Sequence, residues 1–163
     1  TTVRRYSALN KNMERNSEIL TARLLELDEL PMINAAIFRF EAFGDLINAT
    51  QARNYIRLAK VNPHTMFALW TKNPGILAQA IAAEGKPENM VVLLSSHIIG
   101  QQADASRWEF VDKTFTVYRK EDMPEDMINC GSRECLTCRR CYSHDTEADI
   151  REYLKFARYG GYK

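Results

Sequence analysis

Apolar residues recur at helical intervals from residue 3 to residue 26, where Val3, Tyr6, Leu9, Met13, Ile19, Leu20 and Leu24 stand among charged neighbours and predict an opening helix. A break from Asp28 to Pro31 leads into Ala35-Ala36-Ile37-Phe38-Arg39-Phe40, a strand-like run that ends at Gly44-Asp45. Asn48 and Thr50 offer N-caps for a helix through Lys60, with Ala52, Tyr55, Ile56 and Ala59 on one face and Asn62-Pro63 as its stop. The alternation then repeats. Met66 to Trp70 is a short apolar strand, Pro74 suits the first turn of a helix with Ile76, Leu77, Ala80 and Ile81 on its face, and Gly85-Lys86-Pro87 ends it. Met90 to Leu94 reads as a third strand, and Lys113 to Arg119 alternates as a fourth around Phe115 and Val117. Thr146 to Tyr159 predicts a closing helix, with a cap-like Thr146-Glu147-Ala148-Asp149 and a stripe of Ile150, Tyr153, Leu154 and Ala157.

Strands alternating with helices imply right-handed βαβ crossovers and parallel pairing. The expected class is α/β: a partial (βα) half-barrel, or a small mostly parallel sheet, with flanking helices and a C-terminal Cys-rich metal loop. The strands are too few for a complete eight-stranded barrel. One compact domain is expected, with residues 1–129 as the half-barrel core and N-terminal helix, and residues 130–163 as the cysteine-rich metal-binding loop and closing helix.

Composition narrows the partners. At 163 residues and 45% hydrophobic content the chain can bury the core of one domain without disulfides. Its 22 basic and 21 acidic residues leave a formal charge of +1, so no whole-molecule field draws it to nucleic acid or anionic lipid, and a nucleic-acid partner would have only a local basic patch to use. No apolar run reaches the length of about eighteen residues that a membrane span needs, and Thr1-Thr2-Val3-Arg4-Arg5 lacks the apolar core of a signal peptide. A cytoplasmic protein with no membrane partner is therefore expected. Thr1 in place of an initiator methionine points to processing or to a longer parent chain. The pattern says nothing about oligomeric state.

All four cysteines fall within the twelve residues of Cys130-x4-Cys135-x2-Cys138-x2-Cys141, whereas a disulfide framework would staple distant segments. Clustered thiolates suit a metal in a reducing compartment, either tetrahedral zinc or the four iron corners of a 4Fe–4S cluster. Structural zinc usually takes two cysteine pairs separated by a dozen or more residues, and no such spacer exists here. Cys135-x2-Cys138-x2-Cys141 instead matches the three-cysteine core of the bacterial ferredoxin run, with Cys130 near enough to be the fourth ligand. Spacing thus favours the iron–sulfur cluster and keeps zinc as the alternative. Gly131 permits close backbone approach, and Arg133, Arg139 and Arg140 either offset the negative site or are solvated surface cations. His144 is a substitute ligand should one cysteine not bind.

In parallel α/β sheets ligands bind beyond the carboxyl ends of the strands. Arg39, Glu41, Gly44 and Asp45 follow the first strand; Trp70, Thr71 and Lys72 end the second; Ser95, Ser96 and His97 end the third. As a set they predict a pocket for a small-molecule ligand, with Arg39, Glu41, Asp45, Lys72 and His97 as the catalytic candidates and His97 as a general acid or base. The structural alternative is that Asp45, Asn73 and Ser96 cap the following helices while Arg39 pairs with Glu41. Nothing resembles a nucleophile elbow, a phosphate-cradling Gly loop or a dinucleotide fingerprint.

Three stretches carry a family resemblance: Phe38-Arg39-Phe40-Glu41-Ala42-Phe43-Gly44-Asp45-Leu46, Asn62-Pro63-His64-Thr65-Met66-Phe67-Ala68-Leu69-Trp70-Thr71-Lys72, and the cysteine-rich knuckle ending Cys141-Tyr142. With the early Arg15-Asn16 pair, they resemble the phage gene product eighty-eight family over roughly residues 10 to 142. The resemblance implies a strand–Gly–Asp–helix–Asn–Pro–strand–Thr–Lys core and a partial barrel of radical-SAM type. Two departures matter. Family members carry further cysteines upstream of the first helix, and this chain has none; it also lacks the C-x3-C-x2-C loop that leaves one cluster iron open for the nucleotide cofactor of radical-SAM enzymes. Four protein thiolates leave no open iron, which argues against radical chemistry in this chain. The first expectation is an iron–sulfur protein whose cluster is structural or passes electrons to a redox partner. The second is an iron–sulfur enzyme acting on a small substrate, and the third a zinc-stabilised module that binds nucleic acid or protein.

Overall fold

The computed structural model describes residues 7–42, 44–124, 130–145 and 149–154. In chain order the elements are α1 (Ser7–Ala22), β1 (Ile37–Phe40), α2 (Ala49–Val61), β2 (Met66–Thr71), α3 (Pro74–Glu84), β3 (Met90–Ser95), β4 (Lys113–Tyr118), the short α4 (Cys135–Cys138) and β5 (Asp149–Tyr153). All neighbouring strands pair in parallel, in the order β1-β2-β3-β4-β5. Strand order equal to chain order means that every crossover steps the same way, so right-handed connections place the helices on one face and the sheet curls into a half-barrel.

Local chemistry sets the boundaries. The Asn48 side chain caps α2 by accepting from Gln51 N at 2.9 Å, and Pro74 occupies the first turn of α3, where a missing N–H costs nothing. Gly85, at φ +71, ends α3 in a backbone conformation that a Cβ would strain.

The strand alternation divides the core into two layers. Phe38, Phe40, Phe67, Leu69, Met90 and Val92 face the helices and pack with Ala52, Tyr55, Ile56, Ala59 and Leu77. Ala68, Val91, Leu93 and Phe115 point to the other, concave face, where Tyr142, Ile150, Cys130 and Cys141 cover them. The concave layer is thus closed by the cysteine-rich segment, and among the described residues no long helix lies over it. Glu84 of α3 receives Arg53 and Arg57 of α2 at 2.8 and 3.1 Å, which clamps the two helices together.

The end of the chain differs from expectation. Residues 149–153, read above as part of a helix over Thr146 to Tyr159, form the parallel strand β5, which pairs Thr114 with Asp149 and Tyr118 with Tyr153. Ile150, Tyr153 and Leu154 fit helical spacing, but β4 would otherwise leave an open edge, and the ladder it offers outweighs local propensity. Asp149 reinforces the strand by accepting Thr114 Oγ1 at 2.8 Å and Arg151 Nε at 2.6 Å, and Leu154 N donates to Tyr118 O at 2.7 Å. Residues 146–148 and 155–159 of that expected helix, like residues 3–6 of the opening one, lie outside the described residues. Among the described residues no helix is long and apolar enough to cross a membrane.

Candidate metal centre and strand-end cavity

The cysteine segment is built from three tight turns. A 3-10 turn spans Cys130–Ser132, with Arg133 N donating to Cys130 O at 3.0 Å. Cys135 and Cys138 sit three apart on α4, which places both on one side of a single helical turn. Arg139 then adopts φ +52, a left-handed C-cap that stops the helix, and a second 3-10 turn, Arg140–Tyr142, brings Cys141 and Tyr142 back onto the sheet. The four cysteines are reduced; Cys135 is exposed and the other three are partly buried.

Cys141 senses its whole neighbourhood. Burial, and then the nearby thiols of Cys130, Cys135 and Cys138, push its pKa up to about 12 against the opposing pull of Arg39. Tyr142 is likewise pushed up to about 12, mainly by burial. Among the described residues no group of three or more His, Cys, Asp or Glu side chains is gathered closely enough to hold a metal ion. His144 is committed elsewhere: its Nδ1 lies 3.1 Å from Asp112 Oδ1 and its Nε2 lies 3.0 Å from Glu88 O.

The strand ends meet the cysteines in one cavity of about 580 Å³. Its walls include Arg39 of β1, Glu41 and Asp45 from the loop beyond it, Trp70, Thr71 and Lys72 at the end of β2, Ser95 and Ser96 at the end of β3, and Cys130, Cys135 and Cys141. Cys138 and His97 are outside that lining; the His97 Nε2 instead lies 3.1 Å from Lys72 O. Arg39 stands on the concave face with its guanidinium 4.1 Å over the Trp70 ring, and Phe115 packs against the same indole at 4.4 Å. The Trp70 indole N–H is buried and has no hydrogen-bond partner among the described residues. A larger, mainly apolar cavity of about 710 Å³ lies on the helix side against α1 and α2 and is lined by none of the cysteines.

Each acidic candidate has a local explanation. Asp45 caps no helix; its Oδ1 accepts Thr71 Oγ1 at 2.6 Å and Leu46 N at 2.7 Å, and its Oδ2 accepts Lys72 N at 2.8 Å, which ties the β1 loop to the end of β2. Glu41 does not pair with Arg39. Its Oε1 accepts Tyr55 OH at 2.7 Å and Gln51 Nε2 at 2.9 Å, and its backbone is left-handed at φ +50. Burial raises the Glu41 pKa, the Tyr55 bond pulls it down and Asp45 raises it again. Asn73 and Ser96 also serve as local ties, with Asn73 Nδ2 reaching Leu46 O and Ser96 Oγ bonding to Ile98. Sequence reasoning missed Tyr55 and Gln51 as partners of Glu41, although both stand one turn apart on the inward face of α2, where a hydroxyl and an amide must find partners.

The fold and the site together define a parallel βα half-barrel protein whose concave face is closed by a cysteine-rich segment beside a strand-end cavity. The chain belongs to the Gene product 88 family, whose model matches residues 2–153. No curated protein and no solved structure matches it.

Proposed function

We propose that this chain is an iron–sulfur protein of a reducing, cytoplasmic setting, in which Cys130, Cys135, Cys138 and Cys141 hold a 4Fe–4S cluster that is structural or transfers electrons, while the adjoining cavity takes a small ligand. The observation that carries this reading is the shared cavity, onto which Cys130, Cys135 and Cys141 open together with Arg39, Trp70 and Lys72. The donor chemistry fits, since four thiolates in this spacing suit the corners of a cubane. The unpaired Trp70 N–H adds support, because it lies in the apolar layer that includes Cys130 and Cys141, and inorganic sulfide would give it an acceptor.

Such a cluster supplies one-electron transfer when bound. The chain's own residues prepare its surroundings. Arg39 offsets negative charge near Cys141, and Tyr142 and Phe115 exclude water on the sheet side. The Cys141 thiol must lose its proton as it becomes a ligand, so loading releases protons and weakens in acid.

The cavity favours a second reading, an iron–sulfur enzyme whose small substrate meets Arg39 and Lys72, with Glu41 as its proton-transfer group. The radical-SAM-like form of that enzyme gains no support from a site whose four thiolates leave no open iron.

Anaerobic purification followed by ultraviolet–visible spectroscopy tests the proposal. The protein is expected to be brown, to bleach reversibly on reduction, and to lose the chromophore in Cys130→Ser, Cys135→Ser, Cys138→Ser and Cys141→Ser while keeping it in His144→Ala. A colourless protein would sink the cluster and leave zinc as the better occupant.

A further inference from the structure

We infer that the strand-end cavity is an oxyanion site, in which Arg39, Lys72 and Arg133 bind a small molecule bearing a phosphate or carboxylate group. The inference rests on the cavity half of the functional reading, and the cluster half shares its walls through Cys130, Cys135 and Cys141.

Charge bookkeeping around the wall carries it. Five cations elsewhere meet acids: Arg23 with Glu29, Arg53 and Arg57 with Glu84, Lys86 with Asp112, and Arg151 with Asp149. Arg39, Lys72 and Arg133 line one cavity, and among the described residues none of them makes an ion pair. The same wall carries the acids Glu41, Asp45 and Glu152, and among the described residues none of them forms an ion pair with the three cations. Asp45 accepts from Leu46 N, Thr71 Oγ1 and Lys72 N, Oε1 of Glu41 is taken by Tyr55 and Gln51, and Glu152 has a partner of its own.

The Arg39 guanidinium has a ring beneath it, and the backbone of Lys72 is tied in place. The Arg39 guanidinium lies over the Trp70 ring and keeps its N–H groups to donate, and an arginine fork suits carboxylate and phosphate oxygens. Lys72 is rooted on both sides of its side chain, by Asp45 at its N–H and by His97 at its carbonyl. A volume of about 580 Å³ is the size of a small-molecule site, and the carboxyl ends of parallel strands are where such sites lie. A nucleic acid is the weaker candidate, because the cations line a cavity on a chain with a formal charge of only +1.

Isothermal titration of the whole purified chain with inorganic phosphate, pyrophosphate and succinate tests this, with iron and zinc measured on the same sample. One of the three is expected to bind saturably at a single site, and comparison of the phosphate and succinate arms identifies the oxyanion. Arg39→Gln and Lys72→Gln should each weaken binding by about tenfold or more, and the exterior control Lys120→Gln should leave it unchanged. Lys72 is exposed, so its variant carries the test if Arg39→Gln fails to fold. Binding that does not track the iron and zinc content from one preparation to another supports the site whether or not a cluster exists. No saturable binding by any of the three anions would overturn the inference, as would equal losses in the Lys120 control. Tight binding of a short single-stranded oligonucleotide, indifferent to both cavity variants, would overturn it as well.

Discussion

Glu41 concentrates three unusual properties in one residue: a left-handed backbone, a partly buried carboxyl and a bond from a tyrosine hydroxyl. A non-glycine residue at positive φ costs roughly 1–2 kcal/mol and persists where its surroundings over-determine it, often at functional sites. Burial and Asp45 raise the folded carboxyl above its unfolded value despite the Tyr55 bond. The folded state therefore holds an extra proton just above the ordinary glutamate range. Stability from this group is fully present below the unfolded pKa and is lost as pH rises through the folded one. Urea unfolding across that window should show wild type losing stability relative to Glu41→Gln as pH rises; parallel curves would contradict the assignment. Tyr55→Phe removes the bond that lowers the Glu41 pKa, so the carboxyl should titrate still higher in a ¹³C NMR titration. Sequence singled out Glu41 by its place after a strand. Its partners were hidden because they come from ten and fourteen residues away, across a contact made only when α2 docks.

Elements were legible where their period was set by the core they face. β2 and β3 are buried on both sides and read as continuous apolar runs, and α2 announced itself by Asn48 and by its stripe. β5 was not legible, because its reason is nonlocal: it completes β4, and five residues with one strongly buried position, Ile150, carry no distinctive period. Ile150→Ala should cost about 2–4 kcal/mol in chemical denaturation if β5 is part of the cooperative core, and a change near zero would contradict its place in the sheet. The α2–α3 clamp gives a second test at this scale. Burial works to raise the Glu84 pKa, but hydrogen bonds and charge from Arg53 and Arg57 outweigh it and leave the carboxyl below its usual value. That stability is present above the unfolded pKa and lost as pH falls through the folded one. Glu84→Gln should therefore cost about 1–2 kcal/mol at neutral pH, a value moderated by the partial exposure of both arginines, and the cost should shrink in acid. Equal losses at both pH values would point to packing in place of charge.

At the scale of the whole molecule, same-direction crossovers leave one face of the sheet free of long helices among the described residues, and the cysteine segment covers it. The half-barrel and the clustering of thiols followed from element alternation and cysteine spacing. Their juxtaposition did not, because nothing along the chain says that Cys141 will pack on the face that bears Arg39 and Trp70. The left-handed turn at Arg139 makes that return, and the residue there is an arginine where a glycine would have signalled it. The central claim is that this covering segment is a cluster site. Counting iron, acid-labile sulfide and zinc per chain in anaerobically purified protein tests it most directly. About four irons and four sulfides per chain, with negligible zinc, is the predicted result; about one zinc per chain with neither iron nor sulfide would contradict it.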